Sequence, residues 1–114
     1  MRILLIAVLL ALISMQADAL MFEDGVSLKR NLAECDNKDA VSDYRCGEGV
    51  GFINGTHDAY DYTEQLTNCK PESLIHSQLR DVIMKWLNDH PERLHEGAAV
   101  LVLAAINEAW PCPE

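Results

Sequence analysis

The sequence predicts an all-α fold, a small disulfide-stapled bundle of about four helices. Three observations predict it. Apolar residues beyond Pro71 recur at helical spacing, small residues recur at every fourth position from Gly47 to Ala59, and four cysteines form an even set in a chain that reads as exported. Residues 1–19 are expected to be a signal peptide and residues 20–114 a single helical domain, a size at which cross-links contribute much of the stability.

The export signal comes first. Arg2 precedes thirteen residues, 3–15, with one polar member, and Gln16-Ala17-Asp18-Ala19 supplies small side chains for cleavage after Ala19. Thirteen helical residues reach roughly 20 Å, short of the roughly 30 Å of a bilayer core, so a membrane anchor is disfavoured. No membrane association is expected after cleavage. Residues 20–25 form a short apolar and flexible start.

Residues 27–35 place Leu28, Leu32 and Cys35 on one helical face with Ser27 as cap, and residues 36–43 read as a polar turn. From Cys46 onward, Gly47, Gly51, Gly55 and Ala59 line one face of a helix with almost no side chain, a face suited to close helix packing. Glycine costs about 1 kcal/mol per helical position relative to alanine, so such a stripe calls for a packing gain. A phosphate-binding loop is disfavoured, because no apolar strand precedes the stripe and no lysine stands near it. Asn54-Gly55-Thr56 has the form of a glycosylation acceptor and reads as incidental. Residues 60–70 read as a polar connection.

After Pro71, Ser73 caps a helix with Ile75, Leu79, Val82, Ile83, Trp86 and Leu87 on one face, ending at Asp89-His90-Pro91. A second helix over residues 91–109, apolar nearly all round in its middle, is expected to be central and to turn back on the first. A hairpin of this kind brings Cys69, before the first helix, to Cys112, after the second. Cys35 is then left to pair with Cys46, the favoured one of three connectivities.

Charge and motif narrow the function. With 9 Lys+Arg against 18 Asp+Glu, the chain is not expected to bind nucleic acid. The cysteines have no CxxC pair and no metal-like spacing to the histidines, His90 and His95 are five apart across a proline, and no serine occupies a nucleophile elbow. No catalytic residue, metal or cofactor is therefore expected, and surface remains. From Glu34 to Glu64 there are eight acidic residues against Lys38 and Arg45. Within that stretch His57, Asp58, Tyr60, Asp61, Tyr62 and Glu64 combine aromatic anchors with charge that steers a basic partner.

A family resemblance gathers these residues. The runs Gly51-Phe52-Ile53-Asn54-Gly55-Thr56-His57-Asp58-Ala59, Cys69-Lys70-Pro71, Trp86-Leu87-Asn88-Asp89-His90-Pro91-Glu92-Arg93-Leu94-His95 and Ala104-Ala105-Ile106-Asn107-Glu108-Ala109-Trp110-Pro111-Cys112 resemble the Rap/Tai immunity proteins of type VI secretion systems. In one departure, Cys46 lies five residues before Gly51, where the family usually sets a cysteine two before its glycine–aromatic pair. The resemblance implies a periplasmic, disulfide-linked helical protein, often a homodimer. Such a protein blocks a secreted cell-wall amidase effector by occluding its cleft. The alternative from another class is a periplasmic acid-stress chaperone, which would lose its dimer and bind many clients at low pH.

Overall fold

The structure, a computed structural model, describes residues 23–63 and 68–113. The expected signal peptide, residues 1–19, lies outside them, as does Glu64. Four α-helices carry the fold: α1, Gly25–Ala33; α2, Ala40–Tyr62; α3, His76–Asp89; and α4, Ala98–Ala109. Short 3-10 turns at Glu34–Asp36 and Pro91–Arg93 follow α1 and α3. Among the described residues there is no strand, only isolated bridges between Asp24 and Gly97 and between Asn68 and Pro111. The expected all-α, disulfide-stapled bundle is the fold observed.

The core is built from one face of each helix. Leu28 and Leu32 of α1, Ile53 of α2, Leu79, Ile83, Trp86 and Leu87 of α3, and Ala98, Leu101, Val102, Ala105 and Ile106 of α4 are all buried. The last helix contributes five of these twelve core residues, more than any other helix. No helix among the described residues is long and apolar enough to cross a membrane.

Several boundaries move, each for a local reason. The first helix starts two residues before Ser27 because Asp24 is its cap, its carboxylate accepting the Ser27 N–H at 2.8 Å. The second begins inside the expected turn, since Asp39 accepts from both Val41 N and Ser42 N, and it runs through Tyr60 to Tyr62. Ser73 does not cap α3; it lies in a turn closed by Leu74 N donating to Pro71 O, and Ile75 takes the cap position with no side-chain bond.

The helix expected over residues 91–109 is broken. Residues 94–98 receive the start of α1 instead: Gly25 N donates to Glu96 O, Val26 N to Leu94 O, and Ala98 N to Glu23 O at 2.9 Å. This last bond satisfies a donor that the first turn of α4 would otherwise leave open. A Cβ on Gly25 would stand 2.8 Å from Leu94 O, so only glycine permits so close an approach of the two segments.

Both disulfides have the expected partners, Cys35 with Cys46 and Cys69 with Cys112. The route to the second differs from a tight hairpin, in which the end of α3 would face the beginning of α4. Here Val82, Lys85, Trp86 and Asp89 face Ala105, Glu108 and Ala109, and Trp86 Nε1 donates to Glu108 Oε2 at 2.7 Å. The run before α3 brings Cys69 to the end of α4, where its N–H donates to Trp110 O at 2.9 Å.

Candidate functional site

The glycine stripe is the first feature to test against the structure. A Cβ on Gly47, Gly51 or Gly55 would meet nothing within 4 Å, and Ala59 is exposed, so within the chain this face makes no close helix contact. The packing gain expected of the stripe is supplied by Gly49, where a Cβ would come within 3.0 Å of Leu32 Cδ2 and 3.3 Å of Asn31 Cβ. Residues two apart on a helix point about 200° away from each other. The buried side of α2 therefore runs through Ser42, Gly49 and Ile53, and the stripe faces outward.

The junction between α1 and α2 is held firmly beneath that outer face. Besides the Cys35–Cys46 bridge, Ser42 Oγ lies 2.8 Å from both Glu34 Oε2 and Asp39 Oδ2, its single proton serving one at a time. Hydrogen bonds from Ser42 hold both carboxyls below the ordinary range, Glu34 through the hydroxyl first and Asp39 through the backbone N–H first. Arg45 adds a looser pairing to Glu34 at 3.5 Å.

The predicted contact residues lie on the last turns of α2 and not on a connecting loop. Tyr62 is 90% exposed, Asp58 and Asp61 are exposed, and His57 and Tyr60 are partly covered. His57 Nδ1 meets Asp58 Oδ1 at 3.0 Å, and Lys70 Nζ donates to Asp61 Oδ1 at 2.9 Å. That lysine bond, with the lysine's charge, lowers the Asp61 pKa from its ordinary value. Glu64 lies outside the described residues.

Sequence reading missed the other wall of this region. His57 and Asp58 share a cavity of about 370 Å³ with Asn54, Asn68, Lys70, Glu72, Leu74, Ile75, His76 and Leu79. Across it His76 Nδ1 meets Asn54 Oδ1 at 3.1 Å, joining residues 22 apart in the chain. The available signal was Cys69-Lys70-Pro71: a disulfide just before a proline turn fixes where the chain returns to α2.

A third group lies at the end of α3. The Trp86 and His90 rings stack with centroids 3.9 Å apart, His90 Nδ1 donates to Trp86 O at 2.7 Å, and Arg93 stands 5.2 Å from the Trp86 ring centroid. Arg93 is also paired with Glu96. These contacts hold the chain as it turns from α3 toward α4. Among the described residues, no group of three His, Cys, Asp or Glu side chains could hold a metal ion.

The turn at Trp86, His90 and Arg93, the Cys69–Cys112 bridge and Trp110 correspond to the sequence runs that carried the family resemblance. A family model described as Rap1a immunity proteins matches residues 27–112. The chain belongs to this family. No curated protein matches the sequence. In this Rap1a-family chain the matched span begins within α1 and ends at the second bridging cysteine, so it takes in all four helices and both disulfides.

Proposed function

We propose that this protein is an exported, periplasmic inhibitor of a peptidoglycan amidase delivered by a type VI secretion system. It binds the enzyme and occludes its cleft without performing chemistry itself. The observation that carries this reading, beyond family membership, is the outer end of α2. There an almost fully exposed tyrosine, Tyr62, stands beside Asp58 and Asp61 on a helix braced by one disulfide and by the Lys70–Asp61 pair. A rigid aromatic anchor with charge around it suits tight association: the ring supplies area at low entropic cost, and the carboxylates steer a basic surface into place.

Export through residues 1–19 with cleavage after Ala19 belongs to the same reading, since disulfides persist in the periplasm and not in the reducing cytosol. So does a homodimer, which sedimentation of the mature protein measures directly. The main test is a titration of the amidase encoded beside this reading frame. The parent protein is expected to inhibit it stoichiometrically at neutral pH. Tyr62→Ala or Tyr60→Ala is expected to weaken binding by about 2 kcal/mol, roughly thirtyfold, with unchanged circular dichroism. If charge only steers, Asp58→Asn combined with Asp61→Asn mainly slows association and reduces its salt dependence. Full inhibition by all these variants would move the contact to another element. Failure of the parent to bind any neighbouring cell-wall hydrolase would refute the inhibitory role.

A further inference from the structure

We propose that the cavity between α2 and the start of α3 receives an arginine side chain of the bound protein. Its stem would lie along Leu74 and Leu79, and its guanidinium would meet Asp58 and Glu72. The identity of the partner rests on the inhibitory reading above, but the chemistry of the cavity does not.

The size is suitable. At about 370 Å³ the cavity lies at the small end of pockets that hold ligands, ample for one long side chain and too small for a cofactor. Its charge favours a cation. Asp58 and Glu72 are exposed carboxylates at its edge, whereas the cationic Lys70 is already matched by Asp61 at 2.9 Å. With that pair cancelled, the lining retains two negative charges.

Two polar atoms beside the cavity have no hydrogen-bond partner among the described residues. His57 Nδ1 is engaged with Asp58 Oδ1 at 3.0 Å, and its Nε2 is buried with no partner among the described residues. Asn68 Oδ1 accepts the Lys70 N–H at 3.3 Å, which fixes the amide orientation and leaves Nδ2 as a buried donor without a partner. Both atoms are covered from solvent, so their residues report on an occupant of the cavity without bonding it through these atoms.

The apolar part selects among cations. Leu79 is buried, Leu74 is half-buried and Ile75 is 62% exposed at the rim, so the wall offers hydrocarbon for a methylene stem and for one face of a planar head group. Guanidinium is flat, weakly hydrated and carries five donors, whereas ammonium is compact and strongly hydrated. Arginine therefore fits this lining better than lysine.

The experiment uses the mature protein alone, titrated with acetyl-Gly-Arg-Gly-amide and followed by two-dimensional NMR. Saturable shifts are expected at the Asn68 side-chain amide, the His57 ring and the Leu79 methyls. The citrulline and glutamate counterparts of the peptide should produce none. Asp58→Asn combined with Glu72→Gln should weaken the arginine peptide by about tenfold or more. Asp81→Asn combined with Glu92→Gln removes the same charge elsewhere and should leave binding unchanged. Equal binding of the citrulline peptide, equal weakening by the control pair, or the absence of saturable shifts at the cavity would overturn the proposal. Since no enzyme is present, such a failure leaves the inhibitory reading intact, while a hydrolase that does not bind refutes that reading and not the cavity.

Discussion

Gly51→Ala and Gly55→Ala are expected to stabilise the isolated protein, against the intuition that a glycine stripe in a helix is there to be packed. Both positions are well inside α2, more than two turns from Ala40 and nearly two from Tyr62, so the full helical penalty of glycine applies. A Cβ at either would meet no atom within 4 Å, so no overpacking opposes the gain. Each substitution should therefore add up to about 1 kcal/mol. For a domain of this size that raises Tm by about 4 to 8 °C per substitution. Gly25→Ala is the reference of opposite sign. Its Cβ would meet the Leu94 backbone at 2.8 and 3.0 Å, atoms that cannot rotate away, and a loss of about 1 to 3 kcal/mol is expected. Gly49→Ala should fall between, because its closest neighbour is a Leu32 methyl that can shift. Differential scanning calorimetry of the four variants ranks them. A lower Tm for Gly51→Ala or Gly55→Ala would refute the open face. Leucine at the same two sites then separates fold from partner: it should leave the melt near the parent value and weaken whatever association uses this face.

Three further expectations concern stability. Replacing the Cys69–Cys112 pair by alanines should cost about 4 kcal/mol and replacing Cys35–Cys46 about 3 kcal/mol, since the bridges span 43 and 11 residues; urea unfolding of the two variants should preserve that order. Glu108→Ala should cost about 1 to 3 kcal/mol by stranding the Trp86 N–H, and Glu108→Gln less because it keeps an acceptor, both measured through tryptophan fluorescence in urea. For pH, Asp24, Glu34, Asp39 and Asp61 all have folded pKa values depressed by hydrogen bonds to their ionised forms. Their stabilisation is complete above the unfolded carboxylate range and is lost as pH falls through and below about 4. Glu23, raised chiefly by burial, acts in the opposite sense and blunts the loss. Melts from pH 7 to pH 3 should be flat and then fall. A decline beginning near pH 6 would contradict this origin.

What the sequence made legible followed from periodicity and from chain ends. Leu79, Ile83, Trp86 and Leu87 share a face in both the pattern and the structure, and the cysteine pairs are the expected ones. Local competition escaped it. Asp24 and Ser27 are both good caps three residues apart, and the choice of Asp24 was fixed by the docking of residues 23–26 on residues 94–98, a contact between chain segments about 70 residues apart. The same docking breaks the helix at Gly97, which the apolar spacing of Leu94, Ala98 and Leu101 could not reveal. Within the chain the stripe is not the packed face of α2. A run of small residues marks a face, but only neighbouring segments decide whether that face is inside, and here Gly49, off the stripe, is the residue in contact with α1. The cavity at Asp58 depended on Asn54–His76 and Asp61–Lys70, which are tertiary pairs with no local signature.

On the proposed reading, the residues that hold the scaffold are largely distinct from those that would meet a partner. Trp86, His90 and Arg93 hold the turn after α3, Cys69 and Cys112 join the start of that segment to the end of α4, and Glu108 satisfies the indole. They are engaged with one another and have little left to offer a partner. The outer face of α2 is the reverse: Tyr44, Asp58, Asp61 and Tyr62 are exposed, and their substitution would alter few internal contacts apart from the Asp61–Lys70 and Asp58–His57 pairs. Surface substitutions away from caps and core are generally cheap in stability, so residues on such a face can be exchanged without unfolding the protein that displays it. A scaffold locked by two disulfides and a stacked turn is what allows a helix with so little buried side-chain surface to remain rigid enough to present that face.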